Sequence, residues 1–110
     1  MGNTLDLIRL TKILTLLRET HPALTISMAQ CFVQICVEEG LGVRQMMART
    51  GQTQSSASRN IRFLSESLEY GKEGLGLIEW QVKETNRRNK AASLSPKGAE
   101  LKAQILKALQ

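Results

Sequence analysis

Apolar residues recur along this chain in two different periods. From Leu5 to Leu68 they return every three or four positions, the spacing of helices packed by one face; from Ile78 they alternate, the spacing of a half-buried strand; after Pro96 the helical spacing resumes. Asn3 or Thr4 can cap a first helix running to about Glu19, with Asp6 near its positive end. Leu7, Leu10, Leu14 and Leu17 form one line on it, and Leu5, Ile8 and Leu16 lie beside that line. So broad a face predicts either a helix buried at the centre of one subunit or a helix partly covered by a second subunit, and we favour the second. His21 and Pro22 break this helix, and His21 is expected at the surface of the turn. Ser27 then caps Met28–Glu39, whose core face is Met28, Cys31, Phe32, Ile35 and Cys36, widened by Val33 and Val37. That helix is nearly apolar all round and is expected to be the most buried. Gly40 and Gly42 bracket Leu41 as a short connector.

The stretch Val43–Leu68 reads as a helix, a tight turn and a second helix. Gly51 stands where the first must stop and turn left-handed, and Thr53 offers its oxygen to the N–H groups opening the next. In that second helix Ala57, Ile61, Leu64 and Leu68 share one face, and the small Ala57 lets the helices cross closely. The opposite face holds Gln54, Ser55, Ser58, Arg59 and Arg62, with no carboxylate before Glu66. Residues 70–74 read as a loop with two glycines. Ile78, Trp80 and Val82 then alternate with Glu79, Gln81 and Lys83 as a strand, Glu84–Lys90 is a polar and mostly basic tip, and Ala91–Leu94 is the return strand. Ser95 and Pro96 open a last helix as N-cap and first residue, with Leu101, Ile105 and Leu109 along one face. The fold class is therefore mainly α with a small β-hairpin: a winged helix-turn-helix with extra N- and C-terminal helices, making one domain over residues 1–110.

Charge sharpens this picture. The 110 residues carry a net charge of +5, yet residues 1–40 hold three Lys and Arg against four Asp and Glu, while residues 41–110 hold twelve against six. The positive excess thus lies wholly with the helix pair and the hairpin, which favours a polyanionic partner. A helix with a dry side and a side of hydroxyl, amide and guanidinium groups suits the major groove of double-stranded DNA. Cys31 and Cys36, five residues apart on one helix, point in different directions and read as thiols in a reducing cytoplasm rather than a disulfide. With a single histidine they make no zinc site. No carboxylate pair, phosphate-binding glycine loop or Cys/His pair suggests catalysis, so neither an enzyme nor a cofactor is expected. The N-terminus has no signal-peptide pattern, and no apolar run is long enough to span a membrane.

The run Leu77–Leu101, LIEWQVKETNRRNKAASLSPKGAEL, resembles the wing of the MarR-type transcriptional regulators. Gly76-Leu77-Ile78 matches the family's first strand, Arg87-Arg88 its paired tip arginines, Leu94-Ser95 the end of its return strand, and Pro96-Lys97-Gly98 the opening of its final helix. Upstream, Gly51 to Arg59 is similar to its turn and recognition helix. The resemblance implies that Gln54, Ser55, Ser58, Arg59 and Arg62 read the groove, with Thr53 and Ser56 alongside. It implies that Arg87 and Arg88 enter the adjacent minor groove, flanked by Asn86 and Lys90, and that Arg44 and Gln45 hold phosphates. Three departures stand out: Asn86 replaces the family's acidic residue, the loop over residues 71–76 is longer, and the stretch after Gly98 is shorter than the family's dimerisation helix. The expected function is sequence-specific binding of double-stranded DNA as a small regulator of transcription, a repressor in the simplest mechanism. The expected assembly is a homodimer through the helices of residues 1–22 and 96–110, reading an inverted repeat. A replication, partition or phage/plasmid control protein, or a winged-helix module that binds protein, would share these features. No polar cluster marks an effector site.

Overall fold

The computed structural model describes residues 3–65, 67–69, 72–82 and 90–110. Its elements are α1 (Thr4–Thr20), α2 (Ile26–Val37), α3 (Val43–Thr50), α4 (Gln54–Leu64), β1 (Ser67–Glu69), β2 (Lys72–Glu73), β3 (Ile78–Val82), β4 (Lys90–Leu94) and α5 (Pro96–Leu109). α2, α3 and α4 pack around Cys31, Phe32, Ile35, Met46, Ala57, Ile61 and Leu64. The β3–β4 hairpin closes one side of that core through Leu77, Ile78 and Ala92, and Leu101 of α5 joins it. α1 packs on α5.

Asn3 caps α1 in a reciprocal arrangement with Asp6: each side chain accepts from the other's backbone N–H. Only Leu17 of α1 is buried, with Ile13 and Leu16 half-buried against the core. Leu5, Leu7, Ile8, Leu10 and Leu14 remain exposed, so a single chain covers only one side of the broad apolar face.

Several expectations are corrected here. α2 begins at Ile26 and is capped by Thr25 rather than Ser27, because Thr25 holds the extended backbone a cap needs and its Oγ1 accepts from the Met28 N–H at 3.2 Å. Val33 and Val37 do not widen the core face; both are exposed, as is Ile26 at 83%. His21 is not at the surface but 9% exposed, in the turn where its N–H donates to the Leu17 carbonyl and its own carbonyl accepts from Leu24. Desolvation, and then the charge of Lys97, push its pKa below 6.5.

α4 ends at Leu64, four residues short of the expected Leu68, which lies in β1. Ser65 breaks the helix with an extended backbone, and its hydroxyl donates back to the Arg62 carbonyl at 2.5 Å. The chain leading into β3 then takes the helix's last carbonyls: the N–H groups of Leu75, Gly76 and Leu77 donate to Phe63, Ser65 and Leu64. Gly74 passes so close that a Cβ there would lie 1.8 Å from the Ser65 carbonyl oxygen. The expected loop between contains the short antiparallel pair β1–β2, with Ser67 opposite Glu73 and Glu69 opposite Lys72.

β3 and β4 pair antiparallel from Ile78 opposite Leu94 to Val82 opposite Lys90. As alternation demands, Ile78 is buried, Glu79 exposed and Trp80 half-buried. The connector at Leu41 does more than join helices. Leu41 bridges to Ala92, the Gly40 N–H donating to the Ala92 carbonyl and the Ala92 N–H to the Leu41 carbonyl, so it edges the hairpin as a one-residue third strand. The Glu39 carboxylate continues the row by accepting from the Leu94 N–H at 2.7 Å.

Candidate nucleic-acid interface

The helix pair is built as its sequence predicts. Gly51 closes α3 with φ at +76°, donating its N–H to the Met47 carbonyl, and open space surrounds the position of a Cβ. The glycine is therefore required by backbone conformation and not by crowding. Thr53 caps α4, its Oγ1 accepting from the Ser56 N–H at 3.1 Å. Ala57 and Met46 are fully buried where the two helices cross.

On the outer side of α4, Gln54, Ser55, Ser56, Arg59 and Arg62 are exposed and Ser58 is half-buried. Thr53 is exposed at the turn, with its oxygen committed to the cap. Arg44 and Gln45 are exposed in the first turn of α3. Gln45 turns its amide oxygen onto the Gly42 N–H at 2.9 Å, so it caps its own helix and offers its NH2 group outward. Among the described residues, Arg44, Arg59 and Arg62 form no ion pair, whereas Arg49 is held by Glu38 at 2.9 Å and ties α3 to the end of α2. The side of α4 turned from the core therefore presents hydroxyls, an amide and two uncompensated guanidinium groups. Such a surface can donate to phosphate oxygens and base edges and has no carboxylate to repel them.

Asn86, Arg87 and Arg88 lie outside the described residues. Lys90 is placed as the first residue of β4, and its side chain lies outside them too. The base of the wing is well built. Ser95 caps α5 through the Gly98 N–H and donates its hydroxyl to the Gly76 carbonyl at 2.6 Å, and Lys97 Nζ reaches the Leu75 carbonyl at 3.1 Å. Gly98 is buried against the Leu77 carbonyl, where a Cβ would stand only 1.9 Å from the oxygen, and this contact accounts for the Lys-Gly pair at the start of α5.

Two residues of the site were not anticipated. Asn60 sits among Ala57, Ile61 and Leu64 on the dry face of α4 and is buried there. Its Nδ2 donates to Gln52 Oε1 at 2.8 Å. Gln52, in the turn between α3 and α4, also accepts from the Cys31 thiol at 3.4 Å and donates through Nε2 to the Ser27 carbonyl at 2.9 Å and to Gln30 Oε1 at 3.2 Å. An amide at a core position of a helical pattern signals a buried partner, so Asn60 was visible in principle. Nothing in the sequence marks Gln52. Burial raises the pKa of Cys31 and pushes Cys36 up to about 11, so both thiols are protonated at neutral pH. Among the described residues no group of three or more His, Cys, Asp or Glu could hold a metal ion.

Three helices with a turn of glycine, a hairpin edged by a third strand, and a helix returning behind it define a winged helix-turn-helix. Solved structures narrow this further. RV1404 from Mycobacterium tuberculosis superposes with a TM-score of 0.72 at 18% identity, over 99% of this chain and 76% of that one. MarR superposes with a TM-score of 0.64 at 25% identity, over 90% of this chain and 71% of that one. BpsR of Bordetella bronchiseptica, whose DNA binding is regulated by 6-hydroxynicotinic acid, gives 0.62 at 15% identity, over 91% and 67%. The chain has the MarR-type winged-helix fold. By sequence, no family model and no curated protein matches it.

Proposed function

We propose that this chain binds double-stranded DNA sequence-specifically and regulates transcription, with α4 in the major groove and the wing arginines Arg87 and Arg88 beside it in the minor groove. The observation that carries this reading is the outer face of α4: exposed Gln54, Ser55, Arg59 and Arg62, no carboxylate, and both guanidinium groups without an ion pair among the described residues. A solvated helix on a folded domain more commonly mixes both signs of charge, with i,i+4 pairs between them. The likeness in fold to MarR, and to a protein whose DNA binding is regulated, supports the same assignment. Arg59 and Arg62 are suited to bidentate contacts with guanine, and Gln54 to adenine. Ser55, Ser56, Ser58, Arg44 and Gln45 are suited to phosphate.

The active form in this reading is a homodimer. Leu5, Leu7, Ile8, Leu10 and Leu14 of α1, with Leu106 and Leu109 of α5, leave an apolar surface that a second copy would cover. Two copies would set their α4 helices about 34 Å apart, one turn of duplex, and read an inverted repeat. Occlusion of a promoter, hence repression, is the simplest mechanism. No described helix is long and apolar enough to cross a membrane, which is compatible with work in the cytoplasm.

Selection of bound sequences from random duplex DNA, with the mass of the complex measured in parallel, tests all of this. The expected result is one palindromic site carrying two protein chains. Folded protein that binds no duplex even at low salt would overturn the reading. A single copy on an asymmetric site would remove the dimer and keep the DNA.

A further inference from the structure

The amide of Gln52 has its full hydrogen-bonding capacity in use: Oε1 accepts from Asn60 and Cys31, and Nε2 donates to the Ser27 carbonyl and to Gln30. These four partners lie on two helices, α2 and α4, and Gln52 itself stands in the turn that enters α4. The rest of the α2–α4 contact is aliphatic: Phe32, Ile35, Ala57, Ile61 and Leu64. Aliphatic packing tolerates small slides and rotations, because its attraction has no direction. A saturated amide has direction. If α4 rotates about its axis or slides by part of a residue, Asn60 leaves Gln52 and a buried amide loses its partner.

We propose that Gln52 and Asn60 are positioning residues for DNA recognition: they fix the rotation of α4 against α2 and thereby the angle at which Arg59 and Arg62 meet the groove. Asn60 immediately follows Arg59 in the chain and lies two residues before Arg62, so the bond at Asn60 sets the direction of both guanidinium groups. This rests on the DNA-binding reading above and adds to it the element that makes the binding selective. Phosphate contacts by flexible cations tolerate a loosened helix, whereas base-edge hydrogen bonds hold only within a few tenths of an ångström, about the 2.7–3.2 Å window of a good bond. The network therefore governs discrimination between sites more than affinity for duplex as such.

The test separates positioning from stability by replacing both amides with apolar side chains of similar size. In the double variant Gln52→Met, Asn60→Leu no amide is left unpaired, and the Ser27 carbonyl keeps its place in the first turn of α2. Melting temperature, nonspecific duplex affinity and the ratio of selected-site to nonspecific affinity are measured on the full chain. The expected result is a melting temperature within a few degrees of the parent, nonspecific affinity within about twofold, and a ratio lowered about tenfold or more. A ratio kept within about twofold in a folded double variant would overturn the proposal. If the double variant lacks a cooperative melt, Asn60→Ala, which removes one amide only, carries the same expectation and the same refutation. A parent protein with no preference among duplexes would show failure of the underlying reading, separately from any result on the variants, and the proposal would fall with it.

Discussion

Gly98→Ala offers a severe test of how the wing is joined to the last helix. In a solvent-exposed helix this change would stabilise the protein by roughly 1 kcal/mol, because alanine is the better helix former. Here the added Cβ would lie 1.9 Å from the Leu77 carbonyl oxygen and 2.9 Å from its carbon, both backbone atoms. An ordinary C···O approach is about 3.3 Å, so α5 and the strand entry must separate by about 1.4 Å. That movement breaks the Ser95 hydroxyl bond to Gly76 and stretches the Ser95 N–H bond to Leu77, now 2.6 and 3.1 Å. Two lost bonds at about 1 kcal/mol each, with an overpacking cost of about 1–3 kcal/mol, outweigh the helix gain and leave a net loss of about 2–4 kcal/mol. Equilibrium urea unfolding reads this directly, with Gly51→Ala as the comparison. There the Cβ meets nothing, and the cost is the 1–2 kcal/mol or so of a left-handed backbone alone. A Gly98→Ala protein as stable as the parent, or more so, would refute the packing argument.

Other outcomes follow from the same geometry. Arg59→Ala should cost about 1–3 kcal/mol on the selected site and much less on random duplex; equal losses on both would show that Arg59 touches only phosphate. His21 has a lowered pKa, so between its folded value and 6.5 the unfolded chain binds more protons than the folded one, and stability falls as pH drops through that window. Thermal melts from pH 7.5 to 5.5 should therefore show a steeper decline for the parent than for His21→Gln, and parallel curves would contradict this. Cys36, with its pKa near 11, carries roughly one thiolate per thousand molecules at pH 8, so iodoacetamide should modify it about two orders of magnitude more slowly in the folded protein than in urea; equal rates would contradict its burial.

The helices, their turn and the hairpin were legible because each rests on a local signal. Gly51 and Thr53 mark the turn, and Ser95-Pro96 marks the start of α5. The end of α4 was not legible, because Leu68 continues the helical spacing by coincidence while the decisive event is non-local: residues 75–77 take the helix's last carbonyls. The burial of His21 was hidden for a similar reason, since a turn beside a proline is ordinarily solvated and only the fold brings Lys97 near it. Leu41 reads as a connector until Ala92, 51 positions on, is laid against it. Of the candidate site, the exposed face of α4 lies where helical periodicity places it. Asn60 and Gln52 were passed over because a pattern of apolar positions says nothing about which amides share a bond.

The central claim is that the outer face of α4 is the surface that meets DNA. Titration of isotopically labelled protein with its selected duplex, followed by amide NMR shifts at moderate salt, tests it most directly. The account predicts the largest changes over residues 53–62 and at Arg44 and Gln45, with α1 little affected. Shifts concentrated on α1 and α5, with α4 unmoved at saturating duplex, would contradict it.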